Sequence, residues 1–122
     1  MGLSTLEILH YRMEAEAGDF VQTLDNMTYK KGPTLKRLML GITNAAQVLH
    51  EKTRKALEKS GLIPVRSLDF AMKKIEDQYV MVMRQSKTSS PAIKHEIESL
   101  APRLGRVRIA LLTLKAGRGK EK

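Results

Sequence analysis

Apolar side chains recur along this chain at alternating steps of three and four residues, which is the spacing of one face of an α-helix. The first such run extends from near the start of the chain to Lys31-Gly32-Pro33. Its apolar positions are Leu6, Leu9, Met13, Ala17, Phe20, Leu24 and Met27. Gly32 can adopt the left-handed conformation that caps a helix and Pro33 cannot continue one, so the first helix is predicted to end there.

Two further runs have the same spacing. Thr34 is a plausible N-cap for a second helix, which Ser60-Gly61 would close. Ser67 is a plausible N-cap for a third helix that continues to about Gln85. The apolar positions of these two helices are Leu35, Leu38, Met39, Ile42, Ala45, Ala46, Leu49, Thr53, Ala56 and Leu57, and then Leu68, Ala71, Met72, Ile75, Tyr79, Val82 and Met83.

The last run follows the polar linker 87–91, in which Ser90 is a plausible N-cap and Pro91 occupies the first helical position. Its apolar positions are Ile93, Ile97, Leu100, Leu104, Val107, Leu111 and Leu114. This stripe passes through Pro102, which would remove a backbone hydrogen bond from a helix interior. The pattern therefore predicts either a kinked helix or two short helices that share one apolar side.

These runs predict an all-α fold, a bundle of four to five amphipathic helices, since the alternating pattern of a strand is found nowhere in the chain. The 122 residues suit a single domain. We assign this domain to residues 1–116 and a flexible basic tail to residues 117–122. The apolar runs are much shorter than the roughly 20 residues needed to cross a bilayer, so no transmembrane segment is expected.

The predicted bundle has more apolar positions than one core requires, and its first helix is long for so small a chain. The extra positions are Ile8, Val21, Phe70, Val80 and Met81. A homodimer that uses the near-heptad seam of the first helix would cover such surface. The alternative is a monomer whose five helices enclose these residues. We expect the dimer.

Charge is distributed unevenly along the chain. Residues 1–29 hold five acids and the single base Arg12, whereas residues 30–122 hold 21 bases and eight acids, and the formal net charge is +9. A polyanion is the natural partner of such a chain, because neutralising phosphates releases counterions. This release adds binding affinity that does not depend on the sequence of the nucleic acid. Nucleic acid is the first candidate partner, followed by an anionic membrane surface and an acidic protein.

The basic residues form two main groups and several smaller ones. Four of them fall within about 60° of one another on a wheel of the second helix. They are Arg37, Lys52, Lys55 and Lys59. The second group is Arg103, Arg106 and Arg108, whose planar guanidinium groups suit phosphate oxygens. The secondary candidates are Lys30, Lys31, Lys36, Lys73, Lys74, Arg84 and Lys87. For the second-helix group and for Lys73 and Lys74, the alternative interpretation is a plain solvated surface. For the arginine group, the alternative is a basic tail that gives only loose electrostatic affinity.

Aromatic residues are few and several of them lie on apolar stripes, so stacking on single-stranded bases is not expected. Contact with the phosphate backbone of a duplex, RNA or DNA, with little reading of bases fits the composition better. The stretch 56–75 also has the outline of a helix-turn-helix, with the third helix as the one that would enter a major groove. Its turn is about one residue too long, and a simple helical hairpin is the alternative.

Nothing in the sequence indicates an enzyme. His10, His50 and His95 are far apart in the chain, there is no cysteine, and no glycine-rich phosphate loop follows a strand. We therefore expect no catalytic residues, no cofactor and no metal site. The leading hypothesis is an intracellular nucleic-acid-binding homodimer of the cytoplasm, nucleoid or nucleus, of the type found among viral or phage accessory proteins. The rival is an assembly module, such as a matrix-like, scaffold or polymerase-associated domain, that binds another protein.

Overall fold

The computed structural model describes residues 5–31, 33–58, 65–86 and 90–119. Its helices are α1 (Thr5–Lys31), α2 (Pro33–Leu38), α3 (Leu40–Glu58), α4 (Val65–Ser86), α5 (Pro91–Glu98) and α6 (Ala101–Gly119). They account for 96% of the described residues, and no strand occurs among these residues. The all-α fold predicted from the apolar spacing is confirmed.

The helices form an up-and-down bundle. α1 packs along both α3 and α6, and α4 closes the bundle against the same two helices. α2 packs on α1, and α5 packs on α4. Contacts between residues far apart in the chain show that α1 and α6 are antiparallel, since Asp19 lies beside Arg103 and Leu9 lies beside Gly117.

The apolar stripes of all four runs meet in one core. α1 contributes its whole predicted seam from Met13 to Met27, and Met13 is completely buried. The largest fully buried side chains are Phe20, Met13, Leu24, Leu35, Met39, Ile42, Leu49, Leu68, Ile75, Ile97, Leu100 and Leu114. The seam that the sequence assigned to a dimer interface therefore packs inside one molecule.

The second predicted helix is present, with an interruption at Met39 between α2 and α3. The Met39 N–H donates to the Leu35 carbonyl oxygen and the Thr43 N–H donates to the Met39 oxygen, both at 2.9 Å, so helical bonding continues across the interruption. α2 begins at Pro33, which places Thr34 inside its first turn. The prediction of Thr34 as N-cap was therefore wrong.

Ser67 is also not an N-cap, because α4 begins two residues earlier at Val65. Its Oγ instead accepts a hydrogen bond from Lys52 Nζ at 2.8 Å, which ties the start of α4 to α3. The turn of the helix-turn-helix candidate, residues 59–64, lies outside the described residues.

The last run divides near Pro102, as one of the two alternatives predicted. Ser90 caps α5 by accepting from the Ile93 N–H, and Pro91 occupies the first turn. α5 ends at Glu98 and α6 begins at Ala101, so Pro102 falls in the first turn of α6, where a helix needs no N–H donor. α6 continues to Gly119 and thus includes the first three residues of the predicted tail. Residues 120–122 of that tail lie outside the described part.

Packing of α5 against α4 changes the environment of one tyrosine. Burial, with a smaller effect from the Glu98 carboxylate, raises the pKa of the Tyr79 hydroxyl above its ordinary value. Tyr79 packs against the core. Its hydroxyl therefore stays protonated over the physiological range.

Candidate nucleic-acid interface

Two acidic residues of α4 are directed toward α6. Asp69 and Glu76 are seven residues apart and lie on the side that faces α6, where they form ion pairs with Lys115 and Arg108. The Lys115 Nζ to Asp69 Oδ2 distance is 2.9 Å. The basic residues of α4, which flank Asp77, take no part in these ion pairs. They are Arg66, Lys73, Lys74 and Arg84, and all four are exposed.

The outward side of α4 is continuous with the outward side of α3. The Gln78 carboxamide occupies the space that a Cβ at Gly41 would take, with its Cδ 2.8 Å from that position, so the two helices approach closely there. The Lys52 to Ser67 hydrogen bond joins them at the other end. We call this surface the α3–α4 face. Its basic residues are Arg37, Lys52, Lys55, Arg66, Lys73, Lys74 and Arg84, and its acidic residues are Glu51 and Asp77.

The basic residues of the α3–α4 face differ from those of α6 in their partners. Within the described part of the chain, none of the seven is in an ion pair. Lys74 instead lies over the Phe70 ring, with Nζ 5.2 Å from the ring centroid. These cations can contact phosphates without first breaking an ion pair.

The α6 arginines do not form the single group that the sequence predicted. Arg103 Nη1 lies 2.9 Å from Asp19 Oδ2 of α1, while Arg108 pairs with Glu76 of α4. The two arginines are five residues apart, which separates them by roughly 140° around a helix. Arg106 is exposed on a third side. One phosphate group cannot contact all three arginines, and two of them already have acidic partners.

The other predicted residues fall in different places. Lys52 and Lys55 lie on α3 as the helical wheel predicted, and Arg37 lies one turn before α3 begins. Lys73 and Lys74, which the sequence ranked as secondary, lie on the same face. The side chains of Lys30 and Lys31, and the whole of Lys59, lie outside the described residues. The face thus combines the second-helix group with bases of α4.

Sequence reasoning missed one part of this surface, which is its exposed aromatic ring. Phe70 is 62% exposed and lies between the basic residues of α4. The sequence did contain a signal of this exposure, because Phe70 is one of the extra apolar residues that do not belong to the core stripe. The structure also exposes Ile8, Val80 and Met81 of that set, while Val21 packs against the core.

His50 pairs with an acidic residue that is distant in the chain. His50 Nε2 lies 2.8 Å from Glu14 Oε1, across the contact of α1 with α3. Gly18 leaves space for this ring, since a Cβ there would be 3.0 Å from His50 Nε2. Among the described residues, no group of His, Cys, Asp or Glu side chains could hold a metal ion.

No protein-family model matches the chain, and no curated protein or solved structure matches it either. In the described residues, every helix is too short or too polar to cross a bilayer.

Proposed function

We propose that this protein binds nucleic acid inside the cell by contacting its phosphate backbone with the α3–α4 face. The observation that carries the proposal is that, among the described residues, the seven basic side chains of the α3–α4 face are in no ion pair, whereas Asp69 and Glu76 of α4 pair with bases of α6. Lysine and arginine that neutralise phosphates release counterions, which supplies affinity for RNA or DNA of any sequence. A duplex is the first candidate for contacts spread over two neighbouring helices.

A salt titration tests this function. Binding to duplex and single-stranded oligonucleotides, measured by fluorescence anisotropy, should be strongest at about 50 mM salt and weaken as a power of salt concentration. In a plot of the logarithm of the binding constant against the logarithm of salt concentration, a slope of roughly three to six in magnitude would correspond to several phosphate contacts. If the protein binds neither the duplex nor the single strand at low salt, the proposal is refuted, whatever the affinity of the protein for other anions.

A second candidate function is assembly with further copies of the chain. An apolar stripe runs along the outside of α6 and includes Gly105, Ile109, Leu112 and Ala116. Ile109 and Leu112 are 55% and 54% exposed, and a Cβ at Gly105 would have no atom within 4 Å. We call these four residues the α6 outer stripe. Such a surface leaves room for another helix to approach closely.

Charge favours α1 of a second copy as the helix that covers this stripe. α6 holds five bases and no acid, so contact between two α6 helices would bring like charges together. Residues 1–29 carry five acids and one base, and Ile8 and Tyr11 are exposed on α1. A contact of α6 with α1 joins two different surfaces and would extend into a ring or a chain of copies, rather than closing as a dimer.

Mixing two variants distinguishes this contact from a symmetric one. Leu112→Glu removes one surface and Tyr11→Glu removes the other, so each variant alone should be monomeric by light scattering. Their equimolar mixture retains one intact pair of surfaces and should give a heterodimer. Val80→Glu, at an exposed position on α4, is the matched control and should leave assembly unchanged. A wild-type protein that is monomeric at high concentration would contradict the assembly function.

A further inference from the structure

A groove on the α3–α4 face is lined by residues of mixed character. Its volume is about 690 Å³, within the range of roughly 300–1,000 Å³ typical of small-molecule sites. Val48 and Met81 give it apolar walls, while Lys52, Lys74 and Asp77 bring charge to it. We call it the α3–α4 groove. Two basic residues and one acid in its lining favour an anionic occupant.

Phe70 also lines this groove, and its exposure is unusual for a phenylalanine. The residues that follow it, Ala71 and Met72, are buried in the core, so the helix itself directs Phe70 outward. Lys74 Nζ covers the ring at 5.2 Å from its centroid. An exposed ring within a basic surface is the arrangement on which unpaired bases stack.

Polar groups in the groove complement the ring. Asn44 and Gln78 both line it, and in the described part of the chain neither carboxamide has a hydrogen-bond partner. A carboxamide offers a donor and an acceptor side by side, which matches the edge of a base. Asp77 can accept a hydrogen bond from an exocyclic amino group or a ribose hydroxyl. The groove therefore offers hydrogen-bonding groups for a base edge as well as a stacking surface.

From these contacts we infer that the α3–α4 groove binds one unpaired base of the nucleic acid, stacked on Phe70, with the adjoining phosphates near Lys52 and Lys74. This inference rests on the proposed function, and it replaces a duplex, the first candidate ligand named there, by a single strand or a loop. It also differs from the expectation drawn from the sequence, in which base stacking was not expected because aromatic residues are few and several lie on apolar stripes. Phe70 is not part of the core.

Phe70→Trp provides a direct test, because the chain contains no tryptophan and the new side chain is the only indole. Stacking of a base should quench its fluorescence as a single-stranded oligonucleotide is added. Val80→Trp is the matched control, since Val80 is an exposed residue of the same helix outside the groove lining. Its emission should change little on binding.

An abasic oligonucleotide of equal length and charge separates stacking from backbone contact. Phe70→Ala should bind the normal single strand roughly 5- to 150-fold more weakly than wild type does, the usual effect of losing one base stack. The same substitution should leave the affinity for the abasic strand unchanged. Equal affinity of wild type for both strands, without quenching of Phe70→Trp, would overturn this inference and leave backbone binding intact. Failure to bind either of these single strands would overturn this inference, and failure to bind a duplex as well would overturn the proposed function.

Discussion

Replacing Arg37, Lys52 and Lys74 together by glutamine is expected to weaken nucleic-acid binding by about 10²–10³-fold at about 0.1 M salt. Each lost phosphate contact removes the release of about one counterion, so the slope of affinity against salt should also fall by roughly two to three. Glutamine at position 52 retains a donor for the Ser67 hydroxyl, which the wild-type lysine contacts at 2.8 Å. Anisotropy titrations at several salt concentrations measure both quantities.

The matched control replaces Arg103, Arg106 and Arg108 by glutamine. This change removes the same net charge, so any effect of the overall field of the protein is equal in the two variants. Because Arg103 and Arg108 are held by Asp19 and Glu76, we expect a loss of less than about tenfold and a slope that changes by less than one. Equal losses in the two triple variants would contradict the assignment of binding to the α3–α4 face.

The helical wheel predicted part of this face because it needs only residues of one helix. Lys52 and Lys55 project from α3 where the 3.6-residue period places them. The contribution of α4 could not be predicted in the same way, because it depends on which side of α4 packs against α3. The pairing of Asp69 with Lys115 joins residues 46 positions apart, and no local pattern contains that information.

More of the fold than of the site could be predicted from the sequence. Apolar spacing predicted every long helix, and Ser90 was correctly identified as the cap of α5. Thr34 and Ser67 were not caps, because hydroxyl residues also occur in the first turn of a helix, where a tertiary contact such as Lys52 to Ser67 can use them. The number of apolar residues showed a surplus, but it could not show which helices cover each other.

Phe20→Ala is expected to lower the free energy of unfolding by about 3–5 kcal/mol, the usual cost of deleting a large buried side chain. Phe20 is 2% exposed and packs with Met13 and Leu24 in the core. Since small domains are stable by roughly 5–15 kcal/mol, this loss is a large part of the total. Urea denaturation followed by circular dichroism measures it as a lower midpoint with an unchanged slope.

The same experiment separates a core position from a dimer seam. If Phe20 stabilises one molecule, the difference in urea midpoint between wild type and Phe20→Ala should be the same when protein concentration is varied about tenfold. If the α1 seam joined two copies, this difference would depend on protein concentration. Ile8→Ala is the matched control on the same helix, at a position that is 54% exposed, and should cost less than about 0.5 kcal/mol. A loss for Phe20→Ala that shrinks on dilution, as the wild-type dimer dissociates, would instead place the α1 seam between two copies, because burial within one chain cannot produce such a dependence.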